Sequence, residues 1–441
     1  MPAPLLSIST DTDLPAQADC VVIGGGIVGV STAYWLARAG QKVVLLEKGR
    51  IGAEQSSRNW GWCRQQNRDA RELPLSTRSL DLWEEMMRDC GAKIGFRRCG
   101  LLYLSNNEDE IEGWAKWGRF ARAEGVDTRM LNAAQAAEHG AATGKPWKGG
   151  VWSPSDGIAD PSSAAPTIAR GIEKNGGVIL QGCAARGLET SAGRVSAVVT
   201  EKGVISTGQV VLAGGAWAGS FLHQQGIFFP QSSVRSSILS VAPGARGLPD
   251  ALHTKAVSVT RRGDGGYTLA VSGLAKVDLT PRMLRGAAHF LPMFAKRWRS
   301  LGPGGVQGWR AGFDGLKLWE LDEPTPMERM RVLDPKADTA VIAKTLGRGR
   351  DLLPALRDVP VQASWASYID STPDGVPVID TDIGIPGLAL AAGLSGHGFG
   401  IGPGVGHLMA DMLLGRAPIT ETGQYKLSRF DQSQWGKVSD F

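Results

Sequence analysis

The sequence has little of what marks several common classes of protein. Its 441 residues include only five cysteines, with no CxxC pair and no cysteine–histidine spacing of a metal site. A disulfide framework is therefore not indicated, and the odd number of thiols fits a reducing, cytoplasmic compartment. No apolar run approaches the roughly 18 residues that mark a membrane span. The amino terminus lacks the basic and then apolar order of a signal peptide.

Charge is sparse and evenly spread. Lysine and arginine total 48 against 43 aspartates and glutamates, a net charge of +5, and no block of like charge marks a nucleic-acid-binding arm. One basic amphipathic segment, 289–309, has contact with a membrane surface as its alternative interpretation, but we favour a packed helix beside a loop. We expect neither nucleic acid nor a metal as a partner, and we do not expect membrane association.

Glycine is abundant, with 59 residues, about twice an average share of about 7% and without a Gly-X-Y period. Hydrophobic residues make up 42% of the chain and charged residues 21%, which is ordinary globular usage. Disorder and coiled-coil structure are therefore excluded, and the length suggests two or three domains of roughly 150 residues each. The glycines are expected at turns and close backbone approaches.

The informative glycines lie in residues 19–49, which read as strand, glycine turn, helix and strand. The turn, Gly24-Gly25-Gly26-Ile27-Val28-Gly29, satisfies GxGxxG directly after an apolar strand and directly before a helix. Gly24 permits the tight turn, Gly26 lets the backbone approach a pyrophosphate, and Gly29 allows close packing of the helix on the strand. This context predicts a dinucleotide site at the amino end of the helix.

Glu47 ends the second strand, where a carboxylate can accept hydrogen bonds from both ribose hydroxyls of an adenosine. A carboxylate there would repel a 2′-phosphate, so NADP is disfavoured. NAD and FAD present the same ADP half, and this unit alone leaves both open.

Later segments favour FAD. A loop of small and hydrogen-bonding residues, GRIGAEQSSRNWGW, follows Glu47-Lys48, and an apolar strand ending in small residues, VVLAGG, leaves room for a group lying over a sheet. The glycine-rich run 396–404 opens another helix and presents backbone N–H groups. Such donors suit a flavin, which becomes more negative when reduced.

Four segments in this order resemble the D-amino acid oxidase superfamily of FAD-dependent oxidoreductases, in the branch with glycine oxidase, sarcosine oxidase, D-amino acid dehydrogenase and γ-glutamylputrescine oxidase. They are VVIGGGIVGVSTAYWLARAGQKVVLLEK, SSRNWG, VVLAGGAWAG, and STPDGVPVID with AAGLSGHGFGIGPGVGHLMADMLLG. The resemblance implies a Rossmann-like α/β domain interwoven with an α+β substrate domain on a mostly antiparallel sheet. We expect the FAD-binding domain at 1–95, 155–225 and 362–441, and the substrate-binding domain at 96–154 and 226–361.

The resemblance also implies site residues. The expected FAD contacts are Gly24, Gly26, Ile27, Val28, Gly29, Glu47, Lys48, Ser56, Ser57, Arg58, Asn59, Ala185, Gly214, Trp217, Gly396, His397, Gly398, Phe399 and Gly400. Arg64 matches an arginine over the flavin, and His397 is a candidate proton relay in the flavin loop. Trp60, Arg64, Tyr267 and Thr268 are the substrate-side candidates, whereas Trp309, Trp319, Arg235 and Arg310 are explained equally well by core packing or surface.

Two departures from the family pattern bear on chemistry. Ser367 falls where some members carry a cysteine that tethers the flavin, so non-covalent FAD is predicted. Thr268 falls where oxidases of the branch carry a lysine that promotes reaction with oxygen, so the electron acceptor is either oxygen or a quinone or protein.

The reaction that the resemblance implies is hydride transfer from the carbon beside an amine nitrogen to flavin N5, which gives an imine that hydrolyses to an oxo product. The substrate is expected to be a small amine or amino acid. Oxidation of a hydroxy acid is the alternative, and a non-catalytic flavin-binding protein is a more distant one.

Overall fold

Within residues 3–306, 308–309 and 313–432, which this computed structural model describes, two large β-sheets organise the chain. The first has six strands in the order β20-β21-β12-β1-β2-β8, all parallel except β20. Their bounds are β1 (Cys20–Ile23), β2 (Val43–Glu47), β8 (Val178–Gln181), β12 (Val210–Leu212), β20 (Val378–Asp380) and β21 (Leu388–Ala392). Because β1, β2 and β12 are buried on both faces, their continuous apolar runs match a covered parallel sheet.

The second sheet has ten strands and is mostly antiparallel. Its members are β4 (Leu101–Ser105), β5 (Arg129–Leu131), β6 (Gly149–Ser153), β13 (Ser232–Val241), β14 (Ala251–His253), β15 (Ser258–Arg261), β16 (Tyr267–Ala270), β17 (Ala275–Val277), β18 (Leu301–Pro303) and β19 (Val361–Ser371). Small sheets are formed by β3 (Trp62–Cys63) with β7 (Gly157–Ile158), and by β9 (Ala185–Ser191), β10 (Arg194–Thr200) and β11 (Gly203–Ser206). The predicted fold class, a Rossmann-like unit interwoven with a mostly antiparallel sheet, is confirmed.

Helices cover both sheets. They are α1 (Ile27–Arg38), α2 (Leu73–Cys90), α3 (Glu108–Ala123), α4 (Ala133–His139), α5 (Ala164–Lys174), α6 (Ala218–Gln224), α7 (Pro281–Gly286), α8 (Leu291–Arg297), α9 (Pro326–Arg329), α10 (Thr339–Leu352) and α11 (Gly398–Leu413). The main core lies between the six-stranded sheet and helices α1, α2, α5 and α11. Helices α1 and α11 cross closely because a Cβ at Gly406 would stand 2.5 Å from Ser31 Cβ.

One strand bears on the expected domain boundary at 361/362. Strand β19 pairs with β13 along its length, from Ser232↔Ser371 to Val241↔Val361. It therefore belongs to the ten-stranded sheet rather than to the parallel sheet. We propose a boundary near residue 372, since the chain next enters the six-stranded sheet at Val378.

The segment that we expected to form a packed helix is built differently. Residues 289–309 contain α8, short 3₁₀ turns and β18, and several of their large apolar side chains face solvent. No helix among the described residues is long and apolar enough to cross a membrane. The five cysteines are free thiols, as expected.

Candidate active site

The predicted nucleotide turn connects β1 to α1. Gly24 has a φ of +112°, and a Cβ there would stand 2.4 Å from the carbonyl oxygen of Ala213. A Cβ at Gly29 would stand 1.8 Å from the oxygen of Gly24, so both positions require glycine for packing. At Gly26, by contrast, the nearest atom to a Cβ is Ser56 Oγ at 3.3 Å, and the residue borders a cleft. Gly26 is thus the glycine whose missing side chain leaves space for a ligand.

Glu47 lies at the carboxyl end of β2 and borders the same cleft. Its Oε2 accepts the N–H of Gly25 at 2.8 Å, and its Oε1 accepts the N–H of Gly49 at 2.7 Å. Burial raises the pKa of this carboxyl, and Lys48 opposes the shift. The two backbone donors fix the carboxylate beside the turn, where it is placed to accept hydroxyl groups of a ribose.

Lys48 forms one wall of the cleft with Trp217 and Glu54. The ammonium of Lys48 donates to Glu54 Oε1 at 2.5 Å and lies 4.7 Å from the centre of the Trp217 ring. Glu54 also accepts Trp217 Nε1 at 3.3 Å and the backbone N–H of Leu333 at 2.9 Å. This wall holds an aromatic face in place, while Ala185 and Gly214 contribute small residues to the lining.

The loop after β2 turns at residues 55–59. Ser56 Oγ accepts the N–H of Ile27 at 2.8 Å and borders the cleft. The buried Arg58 donates to the carbonyls of Ala53 and Ala366 at 3.0 Å. Ser57 and Asn59 bond to backbone groups of the loop itself, and Asn59 Oδ1 accepts the N–H of Gly61 at 2.7 Å. Ser56 is therefore the cleft-lining residue of this group, and the other three shape the loop.

The structure brings eight of the predicted cofactor residues to one cleft with about 890 Å³ of empty space. These are Gly24, Gly26, Glu47, Lys48, Ser56, Ala185, Gly214 and Trp217. Ile27, Val28 and Gly29 lie in the first turn of α1 behind it. Sequence reasoning missed further lining residues, namely Glu54, Gln55, Ala184, Phe221, Met327, Tyr368 and Asp370.

Gly396 and His397 lie between β21 and α11, and none of the residues Gly396 to Gly400 borders the cleft described above. Their expected position over the flavin stays a prediction. Asp370 supports the loop by accepting the N–H of Gly393 at 2.7 Å, and burial raises the Asp370 pKa to about 6. His397 Nδ1 lies 3.1 Å from Glu72 Oε2. Burial, reinforced by the charge of Arg68, lowers the pKa of His397 to about 4, so the imidazole is neutral near pH 7. Gly398, Phe399 and Gly400 form the buried first turn of α11.

A second group of candidate residues lies on the ten-stranded sheet, whose two faces differ. One face is apolar and packs on α10 and its neighbours through Leu102, Leu252, Val259 and Leu269. In the opposite face, direct partners are Tyr103 with His253, Thr260 with Thr268, and Thr268 with Ser240. Since direct partners on neighbouring strands point to the same side, these polar and aromatic side chains line one surface.

Four rings gather on that surface, and we call Trp60, Trp62, Tyr103 and His253 the aromatic cluster. The Trp62 ring lies 5.0 Å from Trp60, 6.0 Å from Tyr103 and 5.9 Å from His253, centre to centre. Trp62 Nε1 donates to Thr260 Oγ1 at 2.7 Å, which fixes the ring over the sheet. Trp60 also packs against the layer that contains Trp365.

Arg64 lies beside this cluster, 5.9 Å from the centre of the Trp62 ring. Its loop is held because Asp156 accepts the N–H groups of Gln65 at 2.7 Å and Gln66 at 3.1 Å. Burial lowers the pKa of His253 to about 4, and the charge of Arg64 adds to the shift. The site thus combines aromatic walls with a positive field.

The other residues that the sequence suggested for the substrate side do not lie together. Thr268 lies on the polar face, where its hydroxyl accepts Arg262 Nη1 at 3.3 Å. Tyr267 points to the apolar face, with its hydroxyl 3.5 Å from the carbonyl of Leu248, and does not join the cluster. Arg235 forms a buried pair with Asp278, and Trp319 Nε1 donates to the carbonyl of Arg186. Trp309 is exposed, and Arg310 lies outside the described residues.

Comparison with known proteins agrees with this geometry. Residues 19–412 match the family model DAO, described as FAD dependent oxidoreductase. The chain therefore belongs to this family, and its cofactor is FAD. The glycine turn and Glu47 that border the cleft are residue types that hold the ADP half of such a cofactor.

Individual relatives are distant in sequence but similar in fold. Sarcosine oxidase subunit beta of Rhizobium meliloti (strain 1021) is 25% identical, over 94% of this chain and 88% of the relative. Sarcosine dehydrogenase of Homo sapiens mitochondria is 23% identical, and there the match spans only 42% of the relative's length. The structure of L-amino acid deaminase from Proteus myxofaciens in complex with anthranilate aligns with a TM-score of 0.91 at 26% identity, covering 98% of this chain and 97% of that one.

Proposed function

We propose that this protein oxidises the carbon–nitrogen bond of an amino acid that carries a bulky apolar or aromatic side chain. The observation that carries the proposal is the position of Arg64 beside the aromatic cluster. A guanidinium binds a carboxylate through paired charge-assisted hydrogen bonds, and the rings offer apolar walls for a side chain. The relatives named for sarcosine and L-amino acids, and the anthranilate bound by the L-amino acid deaminase of Proteus myxofaciens, support the same class.

Buried donors support a ligand with acceptor oxygens. Trp365 Nε1 and Arg68 Nη1 are buried and have no hydrogen-bond acceptor among the described residues. Leaving such groups without a partner costs about 1–3 kcal/mol each. A substrate carboxylate or a cofactor carbonyl would satisfy them.

In the proposed reaction, FAD supplies the acceptor for a hydride from the substrate carbon that bears the amine. Loss of hydride and of the N–H proton leaves an imine, and water then converts the imine to an oxo acid and ammonia. The protein has to hold the amine neutral, because an ammonium has no lone pair to assist hydride departure. The positive field that contributes to lowering the pKa of His253 and His397 acts in that direction, since it disfavours a further cation.

Two finer features follow from single residues. Ser367 Oγ donates to Gln55 Oε1 in the cleft lining and offers no thiol for a covalent link, so acid precipitation should release all FAD into the supernatant. Yellow colour that stays with the precipitated protein would refute non-covalent binding.

The electron acceptor that completes the proposed reaction is either oxygen or a quinone or protein.

The proposed function is tested by anaerobic bleaching of the yellow protein. The panel contains D- and L-amino acids, N-methyl amino acids, polyamines and 2-hydroxy acids, and ammonia or amine release is measured in parallel. Bleaching by phenylalanine or leucine with release of ammonia supports the proposal. Bleaching by polyamines or by hydroxy acids alone would overturn it, because neither requires both an amine and a carboxylate. Bleaching by none of the panel would favour a flavin-binding role without catalysis.

A further inference from the structure

The segment Pro281–Ser300 carries apolar side chains on its solvent side. Among the described residues, nine of the twelve exposed large apolar side chains lie between Leu279 and Leu318. Six of them are more than half exposed, and four of these six, Leu284, Leu291, Phe294 and Trp298, lie in the segment. We call these four residues the outer seam.

The outer seam lies on consecutive short helices and turns. Helices α7 and α8 and the 3₁₀ turns beside them follow one another without a break from residue 281 to residue 300. Within α8 and the turn after it, Leu291, Phe294 and Trp298 are separated by three and four residues, which is the spacing of one helical face. Leu284 lies in α7, before the 3₁₀ turn that leads into α8. The four exposed apolar side chains therefore lie within one short continuous segment.

The inner side of the segment is held by polar and small residues. Arg282 is buried and its Nε donates to Asp314 Oδ1 at 2.6 Å. Thr280, which caps α7, also donates to Asp314. Gly286 and Pro292 are buried beside them. This arrangement reverses the usual helix of a water-soluble domain, in which the apolar stripe faces the core.

The charged side chains within residues 279–313 of the sequence all have one sign. The sequence has no aspartate or glutamate between Asp278 and Asp314. Both of these acids are buried and paired, with Arg235 and with Arg282. The exposed charged side chains of the segment are Arg285, Lys296, Arg297 and Arg299.

We propose that the segment Pro281–Ser300 docks on a lipid bilayer whose headgroups are anionic. Apolar and tryptophan side chains interleaved with lysine and arginine match the acyl and headgroup layers of such a surface. The contact lies in the plane of the interface, because no helix in the described residues can span a membrane. A partner with an acidic but polar surface would leave the four apolar side chains of the outer seam in water.

The proposal is tested by sedimentation of the FAD-loaded protein with vesicles. Vesicles of phosphatidylcholine alone are compared with vesicles of phosphatidylcholine and phosphatidylglycerol, at low and high salt. The wild-type protein should sediment with the anionic vesicles and be released by salt. Loss of two arginines, R297Q/R299Q, should weaken binding roughly 25-fold, because each cation near an anionic surface contributes about a factor of five. F294S/W298S should weaken it roughly tenfold or more.

Matched variants exclude a general effect of surface change. V204S/V361S removes two exposed valines elsewhere, and R194Q/K202Q removes two exposed cations elsewhere. Both should bind vesicles as wild type does, and flavin absorbance and thermal unfolding check that every variant is folded. The proposal is wrong if wild type stays in solution with anionic vesicles, or if F294S/W298S sediments equally well. It is also wrong if the lipid-free protein is a dimer that F294S/W298S converts to a monomer, since a second copy would then cover the seam.

Discussion

Substitution of Arg64 tests the proposed substrate class most directly. Arg64→Met keeps most of the side-chain volume and removes the charge beside the aromatic cluster. The guanidinium is half-buried and lies 5.9 Å from the Trp62 ring. Loss of hydrogen bonds from a half-buried charged group costs about 1.5–3 kcal/mol, which corresponds to a fall in kcat/KM of roughly 10- to 150-fold.

The assay is anaerobic flavin reduction by stopped flow, with phenylalanine and with phenethylamine, which lacks the carboxylate. The loss should be confined to phenylalanine, because phenethylamine has nothing for Arg64 to bind. Arg78→Met, on the surface of α2, is the matched control. Equal losses for the two substrates would refute the assignment of Arg64 as the carboxylate-binding residue.

A second readout of the same variant does not depend on turnover. Burial and the charge of Arg64 together lower the pKa of His253 to about 4. Without the charge, the pKa should rise, yet stay below the ordinary value near 6.5 because burial remains. Histidine NMR titration measures this. An unchanged pKa would mean that Arg64 does not reach the cluster.

Three further predictions concern the cofactor. Glu47→Gln should raise the Kd for FAD roughly 10- to 100-fold, measured by flavin fluorescence, because an amide cannot accept at both ends as the carboxylate does. Gly24→Ala should lower the unfolding free energy of the apoprotein by about 3 kcal/mol or more, because its Cβ would overlap the Ala213 carbonyl at a φ of +112°. Gly26→Ala should leave the unfolding free energy nearly unchanged and weaken FAD binding. Equal melting curves for the Gly24→Ala and Gly26→Ala apoproteins would contradict this difference. Thr268→Lys should speed reoxidation of the reduced protein by air roughly tenfold or more, followed by absorbance, if a cation on this face promotes reaction with oxygen.

The nucleotide half of the site could be predicted because its signals are local. Gly24, Gly26 and Glu47 lie within one strand–helix–strand unit. The flanking sequence identifies that unit, and the unit explains why glycine or a carboxylate is required at each of these positions. Glu54 was missed because two of its three partners, Trp217 and Leu333, are 163 and 279 residues away in the sequence. A local pattern carries no information about such a partner.

The substrate half could not be predicted in the same way. Tyr267 was a substrate-side candidate and His253 was not among the candidates, but the register of β15 on β16 and of β14 on β4 sends the two side chains to opposite faces. Successive side chains of Tyr267–Ala270 point to opposite faces of the sheet, but the sequence does not indicate which face is directed toward the cofactor. Only the pairing of distant strands decides that.

Strand β19 explains how the two halves hold a common geometry. Trp365 lies in the layer under Trp60, Ala366 accepts Arg58 through its carbonyl, and Asp370 supports the loop before α11. Tyr368 and Asp370 also border the cofactor cleft. Since β19 is paired with β13 from end to end, we expect a shift at the cleft to be carried along this hydrogen-bonded strand to the layer under Trp60. Binding of FAD should therefore order Trp60 and Trp365 before any substrate arrives.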